Sequence, residues 1–324
     1  MRRAHGGAAA AGRSVLDFSV SLNPLGPPDS LGMLLSAEHL AAYPEPHSVT
    51  LQRAIAQRHG VDPDTVLVTN GACEAIELVM ASLRPKRVVV LVPAFTEYED
   101  AARAWGHQVT TVAAREEDGF AWDFSRLDLH PDDLVVLGNP ANPTGVLTPL
   151  PSLDATLLID ETFLDFVDNP QTAVGRPRTL VVRSFTKIFA CPGLRLGYIV
   201  GDVGQLRERQ PTWSVGRLAQ VVGEALLKET AYLEFTRRFV RECRDDLTRG
   251  LRSVDGVTVF PSAANYVFFR VPQAGDLARR LNREGVVVRQ CDSFTGLAPD
   301  CYLRVAVRKR SENQRLLEAL HVAR

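Results

Sequence analysis

What this sequence lacks narrows its class before any motif is considered. Its five cysteines, Cys73, Cys191, Cys243, Cys291 and Cys301, lie far apart without a CxxC pair. That spacing is unlike a disulfide framework or a structural zinc site, so no metal is expected, and it fits a reducing cytoplasm. Long apolar runs are missing too: stretches such as VVVLV and TLLI are far short of the ~18 residues a membrane-spanning helix needs. Charge of one sign is not in excess, with a formal net charge of -1 and no extended like-charged block. Neither a nucleic acid nor a lipid surface is therefore expected as partner. The opening MRRAHGGAAAAG carries two arginines and an alanine run, but Arg13 and Asp17 interrupt it before an apolar segment develops, which argues against a signal peptide. No internal repeat or low-complexity tract is present beyond those alanines.

What is present is the material for a large core: 324 residues, 45% hydrophobic and 23% charged, enough for one large domain and a smaller companion. Short β-branched runs at TVLVT, RVVVLV, DLVVLG, TLLID, TLVVRS and LRLGYIV alternate with helical patterns or turn signals. Such alternation predicts an α/β unit, a mostly parallel sheet with helices on both faces. Near residue 215 the pattern becomes a long amphipathic stretch, RLAQVVGEALLKETAYLEFTRRFVRECRDDLTRGL, with apolar residues at helical spacing. Beyond it GVTVF, NYVFFRV, GVVVRQ and CYLRVAV read as strands, AGDLARRLNREG and SENQRLLEALHVA as helices, predicting a smaller α+β unit. We expect a large domain over 43–214, with 1–42 and 215–324 forming an N-terminal arm and the small domain.

The segment RSFTKIFACPGLRLGY at 183–198 places Lys187 just after a buried strand, where a solvated ammonium has no obvious place. Desolvation and nearby positive charge lower a lysine's pKa and make it a nucleophilic amine able to form a Schiff base; a lysine snorkelling after a strand is the plainer alternative. Ser184 and Arg195 flank it, so a hydroxyl and a guanidinium could converge on a dianion beside the amine, and Gly193 and Gly197 let the backbone turn tightly there. Three other segments meet the same demand. In LVTNGACEAIELVMASL a strand gives way to a helix, so the amides of Gly71, Ala72 and Cys73 could face an anion. In TLLIDETFLDF, Asp160 ends an apolar strand, suited to pairing with a protonated pyridine nitrogen or simply to capping a helix. In NPANPTG, Asn142 sits between prolines, in a rigid turn that could hold an amide against a phenolic oxygen or be structural only.

SFTK followed by PGLRLGY, together with NPTG, Asp160 and YPEP at 43–46, resembles the fold-type-I pyridoxal-phosphate enzymes, the aspartate aminotransferase superfamily. The resemblance runs from AHGG at 4–7 to YLRVAVR at 302–308. Within the superfamily the chain is most similar to the L-threonine-O-3-phosphate decarboxylases of cobalamin biosynthesis, on HGG, LDFSVSLNPLG, PAFTEY, WSV, NYVFFR and VVRQC, with histidinol-phosphate aminotransferases next. It implies pyridoxal 5'-phosphate as cofactor and Lys187 as the amine joined to its aldehyde. Ser184, Arg195 and the amides of Gly71, Ala72 and Cys73 would hold the phosphate, Asp160 the ring nitrogen, Asn142 the ring hydroxyl, and Phe95 the ring face. Tyr43 would reach the partner's phosphate site in a homodimer. Arg304, Arg289, His5 and the turn with Asn23 and Gly26 would hold a phosphorylated amino acid.

The implied reaction is decarboxylation of L-threonine O-3-phosphate to (R)-1-aminopropan-2-yl phosphate. The alternatives are an aminotransferase or decarboxylase of another phosphorylated or acidic amino acid, and a catalytically silent regulatory protein that binds the cofactor. Against the last, the chain has no room for a DNA-binding helix-turn-helix and no basic patch. The chain also departs from common aminotransferase patterns: Phe163 stands where many carry a tyrosine, Ala141 where asparagine is usual, Ala72-Cys73 where polar residues are common, and Gly216 follows WSV where asparagine is frequent.

Overall fold

A computed structural model describes residues 7, 14–34, 36–150 and 152–323. The arm contributes β1 (Leu16–Asp17), followed by helices α1 (Ala37–Ala41) and α2 (Val49–His59). Then come β2 (Val66–Thr69), α3 (Gly71–Ser82), β3 (Val88–Val92), α4 (Glu97–Ala104), β4 (Val109–Ala113), β5 (Leu134–Gly138), β6 (Thr156–Asp160), β7 (Thr179–Ser184), α5 (Phe185–Ile188), β8 (Gly197–Val200) and α6 (Gly204–Arg209). The remainder runs α7 (Arg217–Leu226), α8 (Thr230–Arg252), β9 (Thr258–Val259), β10 (Tyr266–Arg270), α9 (Ala274–Arg283), β11 (Val286–Val287), β12 (Arg289–Gln290), β13 (Tyr302–Ala306) and α10 (Arg310–Val322).

Strands β2 to β8 form one seven-stranded sheet in the order β2-β8-β7-β6-β5-β3-β4. It is parallel except at β8, which runs antiparallel to both neighbours. Every residue of β3, β5 and β7 is buried, because helices and loops cover both faces; this is why VVVLV reads as an unbroken apolar run and does not alternate. Each such side chain withdrawn from water contributes about 1.5–3 kcal/mol. β4 lies at the sheet edge and is only half covered.

The second sheet, β12-β13-β10-β9, is antiparallel. Helix α8 packs against it and buries Val240, Cys243, Leu247 and Leu251 in the shared core, a spacing that keeps one face inward. The predicted amphipathic stretch is two helices, broken at Leu227 to Glu229. GVVVRQ is likewise split at Val288: β11 pairs in parallel with β1 of the arm, whereas β12 pairs with β13. The arm is thereby stitched to the second sheet, with Phe18 fully buried between them.

Candidate active site

Because β8 runs against β7 and β2 runs against β8, the ends of β2, β5, β6 and β7 emerge at one sheet edge. Side chains from these ends and the loops after them line a cleft of about 270 Å³. Strand ends of this kind are where doubly covered α/β sheets hold ligands.

Lys187 lies on α5, the single helical turn directly after β7, whose start is capped by Ser184: the Thr186 N–H donates to Ser184 Oγ at 3.1 Å. Burial, and then the charges of Arg304 and Arg195, push the Lys187 ammonium down to about 8. An appreciable fraction is therefore free amine near neutral pH, as a nucleophilic lysine requires. Asp160, at the end of β6, is 8% exposed. Its Oδ2 accepts from the Tyr98 hydroxyl at 2.7 Å and its Oδ1 from the Thr162 N–H at 2.8 Å.

At the start of α3, Gly71 has φ +79°, and a Cβ there would stand 2.8 Å from Arg195 Nη2. A Cβ on Gly197 would come within 2.9 Å of the Ala72 nitrogen. Two glycines thus let the first turn of α3, the Arg195 guanidinium and the start of β8 converge into a shallow cup beside Lys187. Ala72 and Cys73 line the cleft there. Burial, and then Glu97, push the Cys73 thiol up, so it remains a neutral thiol.

The other end of the cleft carries Arg289 and Arg304, direct register partners across β12 and β13, whose side chains accordingly leave the same face. Arg304 is 6% exposed. Its Nη2 donates to the Ser19 carbonyl at 2.9 Å and its Nη1 to Asn142 Oδ1, while its Nε has no partner. It lies 5.1 Å from the Tyr266 ring centroid, and among the described residues no carboxylate pairs with it. Arg289 Nη2 donates to Ser293 Oγ at 2.7 Å, and its guanidinium lies 5.2 Å from the Phe294 ring. Burial lowers the pKa of both arginines, and the charge of Arg304 adds to the effect at Arg289.

Of the residues singled out by sequence, Ala72, Cys73, Phe95, Asn142, Asp160, Ser184, Lys187, Arg195, Arg289 and Arg304 all line this one cleft, and Gly71 abuts Arg195 behind it. Tyr43 does not; it projects into solvent with 79% exposure, its ring 5.0 Å from Trp213. His5 lies outside the described residues. Asn23 and Gly26 are placed differently from the expectation. The Asn23 amide donates inward to the Ile188 carbonyl at 2.7 Å and to the hydroxyls of Tyr232 and Thr236, and the Gly26 carbonyl accepts from Tyr232. The turn is thus anchored to α8, and the arm meets the cleft slightly earlier, at Ser19, Val20 and Ser21. Arg308 is a structural tie, bonded to the Asp17 carbonyl and to Glu312. The sequence reading missed Tyr98, which the turn leading into α4, closed by the Tyr98 N–H on the Phe95 carbonyl, brings back beside Phe95. Thr96, Thr162 and Phe294 also line the cleft and carried no signal beyond proximity to a motif.

Residues 15–320 match the family described as aminotransferase class I and II. The chain belongs to that family. Among aminotransferase-family relatives, a threonine-phosphate decarboxylase of Salmonella typhimurium is 35% identical, the match covering 94% of this chain and 90% of the relative. A histidinol-phosphate aminotransferase of Mycobacterium bovis is 37% identical over 91% of this chain and 84% of its own length. The solved structure of L-threonine-O-3-phosphate decarboxylase from Porphyromonas gingivalis aligns with a TM-score of 0.83 at 28% identity, covering 95% of this chain and 99% of that one. The fold is fold type I, as the sequence resemblance implied, and the chain is an enzyme. Enzymes of this aminotransferase class and threonine-phosphate decarboxylases use pyridoxal phosphate. The cleft fits that group: a lysine of lowered pKa, a strand-end carboxylate with both oxygens already oriented, and a cup that a Cβ at Gly71 would fill.

Proposed function

We propose that the chain decarboxylates L-threonine O-3-phosphate, releasing carbon dioxide and (R)-1-aminopropan-2-yl phosphate. The observation that carries this reading is the pair Arg289 and Arg304, leaving one face of the second sheet into the cleft. Two adjacent guanidiniums suit a substrate that brings a carboxylate and a phosphate together, and bidentate forks give them geometric selectivity. Histidinol phosphate brings only one anionic group.

In this reading Lys187 holds the cofactor aldehyde and Asp160 its ring nitrogen. Asn142 meets the ring hydroxyl, Phe95 the ring face, and Ser184, Arg195 and the amides of residues 71–73 its phosphate. When bound, pyridoxal phosphate supplies an electron sink for the bond broken at the substrate's α-carbon. Which bond breaks is decided by orientation, and that is the task of the protein. Arg304, braced by Asn142 and the Ser19 carbonyl, holds the carboxylate. Arg289, fixed by Ser293 and Phe294, takes the phosphate. Phe163 and Phe294 give the cleft apolar walls that exclude water. Lys187 Nζ, facing the cleft, would be the group that returns a proton to the α-carbon once carbon dioxide has left.

The test is incubation of the purified protein and pyridoxal phosphate with phosphothreonine, phosphoserine and histidinol phosphate. Released carbon dioxide and dependence on 2-oxoglutarate are both followed. Carbon dioxide from phosphothreonine without 2-oxoglutarate is the expected result. The 37% identical Mycobacterium bovis relative favours a second reading, an aminotransferase, which predicts turnover of histidinol phosphate only with 2-oxoglutarate. Bound cofactor with no turnover of any amino compound would overturn both and favour a silent binding protein.

We also infer a homodimer. Leu40, Tyr43 and Trp213 are large exposed apolar side chains, and the rings of Tyr43 and Trp213 touch. A paired aromatic surface of this kind suits burial against a second copy, where Tyr43 would reach the neighbouring phosphate cup. No helix among the described residues is long and apolar enough to cross a membrane.

A further inference from the structure

The motif PAFTEY holds one residue that the roles above leave unused. Tyr98 is 1% exposed, yet it lines the cleft. Its hydroxyl donates to Asp160 Oδ2 at 2.7 Å, and its ring meets Phe95 edge-on, with centroids 5.7 Å apart at 86°. Gly138, the register partner of Asp160, lies beside this bond, where an added Cβ would stand in ordinary contact with the Tyr98 hydroxyl at 3.4 Å. We propose that Tyr98 is a positioning residue for the cofactor's ring nitrogen, fixing the Asp160 carboxylate and the Phe95 ring as one rigid unit. The inference rests on the proposed roles of Asp160 and Phe95.

An ionised carboxylate has about four acceptor sites. Tyr98 fills one on Oδ2 and the Thr162 N–H one on Oδ1, which pins the rotation of the group and leaves sites for a further donor. A buried carboxylate with only one anchoring donor would lose that fixed orientation, and pre-organisation is where charged hydrogen bonds gain most of their strength. Burial and the charge of Asp160 push the Tyr98 phenol well above its ordinary value, so it stays a proton donor throughout the working pH range. The Phe95 contact adds a second constraint, because an edge-on neighbour fixes the plane of that ring.

The test is Tyr98→Phe, with three measurements on the full-length apoprotein. The first is its melting temperature. The second is the dissociation constant of pyridoxal phosphate. The third is the dissociation constant of the analogue with carbon in place of the ring nitrogen. Loss of one hydrogen bond to a charged group weakens pyridoxal phosphate binding by about 10-fold or more. Binding of the carbon analogue should change by less than about twofold, because that ligand has no nitrogen to pair with Asp160. Equal weakening of both ligands, or of neither, overturns the inference; a purely structural tyrosine would give the first of these. If Tyr98→Phe fails to fold, Tyr98→His, which keeps a donor on a ring, must fold and retain the difference between the two ligands, and loss of that difference likewise overturns it. Borohydride reduction followed by peptide mapping to Lys187, in parent and variant alike, tests the underlying cofactor assignment separately. An adduct elsewhere defeats that assignment, whereas an adduct on Lys187 with unchanged affinities defeats only the role of Tyr98.

Discussion

Lys187 carries a measurable consequence even without substrate. Its ordinary pKa of 10.5 falls to about 8 in the fold, so the unfolded chain holds this proton more tightly. Below about pH 8 the penalty is present in full, and it disappears as pH rises through the interval up to 10.5. Lys187→Met should therefore raise the melting temperature of the apoprotein at pH 7, with the gain fading towards pH 10.5; thermal melts of parent and variant at matched pH check it. For the same reason the parent should capture the cofactor aldehyde faster as pH rises, with a midpoint near 8, as stopped-flow absorbance would show. In the proposed role of Arg304 as holder of the substrate carboxylate, Arg304→Met should lower kcat/KM for phosphothreonine by about 10²–10³, the usual cost of removing a buried charge-assisted partner. Steady-state kinetics measures this, and a change below about threefold would remove Arg304 from carboxylate binding.

Among the elements, the junction of β7, β8 and α3 has little tolerance. At Gly197 an added Cβ would sit 2.9 Å from the Ala72 nitrogen, the Arg183 carbonyl and the Gly71 carbonyl carbon, all backbone atoms that cannot step aside. Gly197→Ala should cost at least about 1–3 kcal/mol by overpacking, read from urea unfolding. Arg183, inside β7, joins the buried carboxylates of Glu161 at 2.9 Å and Asp165 at 2.6 Å. Arg183→Met would leave Glu161 with only the Thr172 hydroxyl and the Ala173 N–H, and Asp165 with only the more distant Arg237 at 3.9 Å, at a cost of about 3–5 kcal/mol, measurable in the same unfolding experiment. Neither the ion-pair network nor β4 was visible in the sequence. β4 is an edge strand, half exposed, and VTTVA lacks the continuous apolar run that marked its neighbours. The broken helix and the split of GVVVRQ escaped for a different reason. Periodicity describes each residue's local burial, whereas the break at Leu227 to Glu229 and the change of partner at Val288 are set by what packs alongside.

For the whole molecule, the exposed aromatic pair predicts association. Trp213→Ala combined with Tyr43→Ala should shift a dimer towards monomer at micromolar concentration, checked by sedimentation velocity. If Tyr43 serves the neighbouring site, a mixed dimer carrying Tyr43→Phe on one copy and Lys187→Ala on the other keeps one complete site. The sequence by itself determined the class of sheet, the runs that form most of its strands and most of the cleft, from Lys187 and Asp160 to Arg304. Lys187, Asp160 and Asn142 sit at strand ends and in turns whose chemistry is local and therefore written in short motifs, whereas Arg304 was legible as a charge set in an apolar strand. The tertiary structure alone decided that Tyr98 faces Asp160 and that Asn23 turns inward while Ser19 to Ser21 meet the cleft. It also decided that Arg289 and Arg304 stand abreast. Each of these depends on the register between segments distant in the chain, and no local pattern encodes which strand end will lie opposite another.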